Sequence, residues 1–221
     1  MEDTIKYRGY IIRILQDDSP MDPREYSDHL GLMAFTHKRH SLGDSFDEHG
    51  VDFSECNSWD EVELFISRKL KGVLIMPVHM YDHSGQTIST SHEYPYNDPW
   101  DSGQLGFIFT TKDRIREWYG KKAISKKTLD KAEKMLEFEV KEYDQWMRGD
   151  VCGYLIEDED GNEKESVWGF YGDEWAIKEA KSTINTIKDG VKHGNRSYDK
   201  QAQAKKQLRD NKGRFIEVTT A

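Results

Sequence analysis

The chain has 221 residues, of which 36% are apolar and 33% charged, and its formal net charge is −9. Six Trp, eleven Tyr and nine Phe in patterned runs exclude a disordered chain, and the length fits one domain with at most an appendage. No run approaches the ~20 apolar residues of a membrane span, so no membrane partner is expected.

The charge is unevenly spread. From Lys192 to Arg214 there are eight basic residues and two acidic ones, a net +6, which leaves −15 for the rest. Such an acidic body repels nucleic acid and favours basic partners. The tail is expected to be a solvated end, and nucleic-acid binding, possible only through this tail, is the alternative. The start, Met1-Glu2-Asp3-Thr4, is acidic and has no apolar signal core, which predicts a cytoplasmic protein. Cys56 and Cys152 are far apart and show no metal-ligand spacing. They are expected as reduced thiols, with a disulfide between them as the alternative.

The apolar pattern gives the elements in order. Tyr7 to Leu15 alternates loosely and predicts a strand. The run 17–23, with Pro20 and Pro23, is a break, and Leu30 to His37 predicts a second strand. A polar run from His37 to Asp44 and an acidic loop to Asn57 follow. Ser58-Trp59-Asp60-Glu61 is a capping box, so a helix is expected over 59–71, with Gly72 as its stop. Val73 to Val78 suits a buried strand, in which Pro77 predicts a bulge or interruption. Tyr81 to Gly106 is polar and predicts a long loop or irregular hairpin. Phe107-Ile108-Phe109 is a strand. Thr110 or Thr111 can cap a helix through Tyr119, and Ser125 a longer one to Met147. Leu129, Ala132, Leu136, Val140, Tyr143 and Met147 form the apolar stripe of that longer helix. Val151–Ile156 and Ser166–Tyr171 predict a hairpin, and Asp173 is expected to cap a last helix through Lys188.

This order predicts an α+β fold with a mainly antiparallel sheet and three to four helices on one face. The expected organisation is a single domain over 1–190, followed by a basic, mobile tail over 191–221.

Three polar segments carry candidate chemistry. Tyr81-Asp82-His83-Ser84-Gly85 follows an apolar strand. An Asp beside a His can orient the imidazole as a base for a Ser nucleophile, which makes His83, Asp82 and Ser84 catalytic candidates. Adjacent residues of an extended chain face opposite ways, so a tight turn is required for this. The alternative is a local turn in which Asp82 and Ser84 bond to backbone. Asn97 to Gly106 brings Asp98 and Asp101 together with Trp100, Ser102 and Gln104. These residues can hold a hard cation or a ribose, or they can be turn-makers with Trp100 plugging the core. Thr87, Ser89, Thr90, Ser91 and His92 form a polar strand that can line a groove. His37, His40 and Asp44 have a spacing that can ligate a transition metal, whereas Lys38, Arg39 and His40 can equally form a basic face. The decisive expectation is convergence of His37 or His40 with Asp82, His83 and Asp101 in one pocket. The chain has no glycine-rich phosphate loop. Val167 to Gly172 is aromatic and glycine-interleaved, and its acidic surroundings favour core packing over base stacking.

As a set, His37-Lys38-Arg39-His40-Ser41-Leu42-Gly43-Asp44, Tyr81-Asp82-His83-Ser84-Gly85, Pro99-Trp100-Asp101-Ser102-Gly103-Gln104-Leu105-Gly106, Tyr143-Asp144-Gln145, Gly149-Asp150-Val151 and Trp168-Gly169-Phe170-Tyr171-Gly172 resemble small proteins of tailed bacteriophages and related mobile elements. The resemblance spans roughly 11–180. That family has no assigned activity, so no catalytic role carries over to any residue here, and cofactor and metal are left open. It implies a phage product made in the infected bacterium and acting outside the virion. With the acidic body, this favours an accessory protein that binds a host bacterial protein in the host cytoplasm, in counter-defence or host takeover. The alternative is a hydrolase, metal- or His/Asp-dependent, acting on a nucleotide or similar small polar substrate, with His83 as base, Asp82 or Asp101 as orienter or metal ligand, and His37 or His40 nearby.

Overall fold

The computed structural model describes residues 3–26, 28–37, 39–44, 53, 55–90, 98 and 100–189. The basic tail, Lys38, Ser91, His92, Asn97 and Pro99 lie outside the described residues. The fold is α+β with antiparallel strands, but the strands form two sheets of four rather than one. The described parts of 1–27 and 149–221 make one compact unit, and those of 28–148 make the other. Among the described residues no helix is long and apolar enough to cross a membrane.

The first unit has strands β1 (Asp3–Tyr7), β2 (Tyr10–Gln16), β7 (Val151–Glu157) and β8 (Glu163–Tyr171), in the order β1-β2-β7-β8. The strand expected over 7–15 is split by a two-residue turn. Arg8 and Gly9 both have positive φ (50° and 81°), and Tyr7 pairs with Tyr10. That is the mirror-image turn whose twist matches paired strands. Helix α1 (Pro23–Tyr26) is one turn long, and α5 (Asp173–Lys188) covers the sheet. Ile12, Tyr154, Ile156 and Phe170 pack there with Ala176, Ala180 and Ile184. Gly172, not Asp173, is the N-cap of α5, and no side chain caps it. Val167 and Phe170 are core residues, as the acidic surroundings of the 167–172 run imply.

Cys56 and Cys152 are free thiols. Burial pushes the Cys152 thiol up to about 12, and the negative charges of Asp173, Asp150 and Asp17 add to this. In the native state Cys152 therefore stays protonated at all pH values well below about 12. We expect it to resist iodoacetamide at pH 8 in the folded protein and to react in denaturant, read by peptide mass mapping.

The second unit has strands β3 (Leu32–Phe35), β4 (Gly72–Asp82), β5 (Gln86–Thr90) and β6 (Ser102–Thr111), in the order β3-β6-β4-β5. Its helices are α2 (Trp59–Arg68), α3 (Lys112–Tyr119) and α4 (Lys126–Met147). The capping signals act as expected: Ser58, Thr111 and Ser125 each accept from the backbone N–H three residues on. β4 continues through Pro77, where β5 does not pair with it, and its register against β6 shifts one residue on, between Val78 and His79, so the irregularity expected at Pro77 falls beside it. The apolar stretch 107–109 is the middle of a ten-residue strand.

Helices occupy both faces of this sheet. Val62 and Ile66 of α2 pack with Ala34, Phe107 and Phe109. Leu136 of α4 lies with Ile108 at Gly31, and Tyr143 meets Phe35 at 6.4 Å between ring centroids. Residues 107 and 108, like 34 and 35, point to opposite faces, so the two helices flank the sheet. The expectation of helices on one face fails because β3 and β6 are apolar on both sides. At Gly106 a Cβ would sit 2.0 Å from the Ala34 carbonyl oxygen, so only glycine admits β3 this closely.

Helix α4 also carries buried acid. Glu139, 1% exposed, accepts from the backbone N–H groups of Leu30 (2.8 Å) and Gly31 (3.1 Å), just before β3. Removing both acceptor oxygens strands two buried donors. We expect Glu139→Ala to lower unfolding free energy by about 2–4 kcal/mol, with Glu139→Gln milder because one acceptor remains. Urea denaturation checks both; equal and negligible effects would show that water takes over these N–H groups.

Candidate functional site

The polar segments gather at one end of the second sheet, because β4 and β5 form a hairpin there. Asp82 pairs with Gln86, leaving His83-Ser84-Gly85 as the turn. Ser84 (φ 57°) and Gly85 (φ 150°) turn the chain. Beside it is a second turn, at Trp100 and Asp101, which leads into β6. Asp98 Oδ1 accepts from the Trp100 N–H (2.9 Å) and the Asp101 N–H (3.4 Å), and the Ser102 hydroxyl donates to the Asp98 carbonyl. The Asp82 N–H donates to the Asp101 carbonyl at 2.7 Å and ties the two turns together.

Two side-chain pairs span this end. His83 Nδ1 lies 2.6 Å from Asp101 Oδ2, and Arg39 lies 3.4 Å from Asp82 Oδ2. Of the two carboxylates expected to orient His83, Asp82 does not and Asp101, eighteen residues on, does. Asp82 is held by Arg39 instead, in keeping with the opposed directions of adjacent strand residues. Ser84 is exposed in the turn, and no hydrogen bond joins it to His83 among the described residues. Tyr81 stands beside His83, with ring centroids 6.1 Å apart.

Trp100 does not plug the core. It is 92% exposed, held out by the turn that Asp98 organises. Gln104 Nε2 donates to the Gly106 carbonyl at 3.3 Å, within its own strand.

The proposed metal set comes apart. His37 and His40 stack on each other, 5.1 Å between centroids, while Asp44 is engaged elsewhere. Asp44 Oδ2 accepts from the Met33 N–H (2.7 Å), and its own N–H donates to the Met33 carbonyl (3.0 Å). Asp44 thus closes the free edge of β3, a structural task. Among the described residues no group of three or more His, Cys, Asp or Glu is placed to hold a metal ion. Of the five residues whose convergence was the decisive expectation, the side chains of His83 and Asp101 meet, while Asp82 joins Asp101 only through a backbone bond and turns its carboxylate to Arg39. Arg39, lying between the two histidines in sequence, reaches the same place.

Sequence reasoning passed over Asp144 as more than a member of a motif. Its Oδ1 accepts from the Thr87 hydroxyl (2.6 Å) and the Ile88 N–H (2.7 Å), and Arg148 Nε lies 3.1 Å from Oδ2. It seals β5, the strand that returns from the His83 turn. The available signal was an acid directly beside the apolar stripe position Tyr143. His79, on β4 beneath this end, is buried, and that burial lowers the pKa of its imidazole.

The class defined by these features is a two-sheet α+β protein that presents a rigid, exposed pair of turns at one sheet end. No protein-family model, curated protein or solved structure matches the chain.

The side chains of His83 and Asp101 are 61% and 36% exposed, so water screens their attraction. His83→Ala and Asp101→Asn are each expected to change stability by less than about 1 kcal/mol in denaturant melts. A loss of several kcal/mol in either variant would mean that the pair is a structural clamp rather than a surface feature.

Proposed function

We propose that this is a binding protein that engages a partner protein through the two turns at the end of the second sheet. Its partner on this reading is a host bacterial factor, met in the host cytoplasm by a phage accessory protein. The exposure of Trp100 carries the proposal. A tryptophan that leaves 92% of its surface in water, on a turn fixed by hydrogen bonds, is the kind of anchor that dominates protein interfaces. The phage-like motif set and the acidic body support a partner of opposite charge. The test is affinity capture from bacterial lysate at low and moderate salt with the full chain. We expect a partner retained by the wild type and reduced at least about tenfold by Trp100→Ala, since hot-spot truncation costs ~1.4 kcal/mol or more. No capture, or equal capture by both forms, would refute the proposal.

One observation favours the second reading, a hydrolase acting on a nucleotide or similar small polar substrate. His83 is bonded through Nδ1 to a carboxylate, which fixes its tautomer and leaves Nε2 as the base. Here His83→Ala would abolish turnover of such a substrate with the fold intact, and elemental analysis of the purified protein would show whether a metal takes part.

A further inference from the structure

The chemistry of the Trp100 turn narrows what it receives. We propose that it takes the guanidinium group of an arginine in an exposed segment of the partner protein. This deepens the binding reading above and rests on it.

Three properties of the turn converge on that group. Trp100 offers a flat aromatic face: it is 92% exposed, whereas the next most exposed large apolar side chain among the described residues, Leu64, is 46% exposed. The turn is already ordered by the bonds from the Trp100 and Asp101 N–H groups to Asp98, and from the Asp82 N–H to Asp101, so binding costs little chain entropy. The surface also has acceptors to spare. Asp98 uses Oδ1, Asp101 uses Oδ2 and Asp82 uses Oδ2. The other oxygen of each makes no hydrogen bond among the described residues. Among the described residues, Arg39 and His83 are the cations that pair with these carboxylates, and each holds only one of them.

The occupant must therefore be planar to stack on the indole, positively charged, and rich in N–H donors without acceptors. Guanidinium meets all three conditions; an ammonium group is a point charge without the planar fork. A nucleic-acid base would also stack, but its phosphates would meet a chain that carries −15 outside residues 192–214.

The probe is a capped Gly-Arg-Gly peptide titrated into the ¹⁵N-labelled full chain, beside the citrulline and lysine versions. The indole N–H resonance of Trp100 is assigned by its loss in Trp100→Phe. We expect a saturable shift of that resonance with the arginine peptide, and affinity about fivefold weaker or worse for both substitutes. Asp101→Asn should weaken the arginine peptide selectively. Equal binding of citrulline or lysine, or no shift of the Trp100 indole, would overturn the proposal. If Trp100→Ala loses the captured lysate protein while the arginine peptide neither shifts the indole nor competes, the binding surface stands and the guanidinium assignment falls. If the arginine peptide binds and lysate capture yields nothing, the assignment holds and the host-factor reading falls.

Discussion

The second sheet is held in place by carboxylates on helix α4 that accept hydrogen bonds from strand backbone. Glu139 takes the N–H groups of Leu30 and Gly31 at the approach to β3, and Asp144 takes the N–H of Ile88 in β5. The sheet order places β3 and β5 at opposite edges, so one helix serves both. A buried carboxylate is costly unless its oxygens find donors, and a buried N–H is costly unless it finds an acceptor. Each group here removes the other's penalty. Apolar contact alone would let α4 slide along the sheet. Directional bonds at both edges fix its register.

That constraint reaches the candidate site through β5. With Thr87 and Ile88 anchored to Asp144, the strand cannot slip against β4, and the His83 turn has a fixed position. The Trp100 turn is then set against it by the bond from Asp82 to Asp101. Exposed polar side chains on separate loops would ordinarily sample many arrangements. Here backbone bonds bring His83 and Asp101 within 2.6 Å and leave Trp100 projecting into water. A surface ordered in this way suits recognition, where the entropy of arranging the groups is met during folding and not at the moment of binding.

Much of the secondary structure was legible because its causes are local. Ser58, Thr111 and Ser125 cap helices through bonds that span three residues, and the apolar stripe of α4 needs only the helical period. The Arg8–Gly9 turn escaped because alternation continues across it from Tyr7 to Tyr10, and only pairing reveals the reversal. The Tyr81–Gly106 stretch read as a long loop or irregular hairpin because β5 and the start of β6 are polar; β5 matches the polar strand expected from Thr87, and the start of β6 was missed. Edge and end strands lie outside the core, so hydropathy does not mark them. The catalytic arrangement of Asp82 with His83 was drawn from neighbours in sequence, and the strand geometry opposes that pairing.

By itself, the sequence determined the α+β class, the helix caps, the apolar stripe of α4 and the polar segments worth examining, since these follow from bonds and periods within a few residues. Tertiary structure alone decided that the strands divide into two sheets, that Asp44 and Asp144 seal strand edges, and that His83 meets Asp101. Those outcomes depend on groups 11, 56 and 18 residues apart finding one another, and such contacts are chosen by whole-unit packing and the need to satisfy buried backbone.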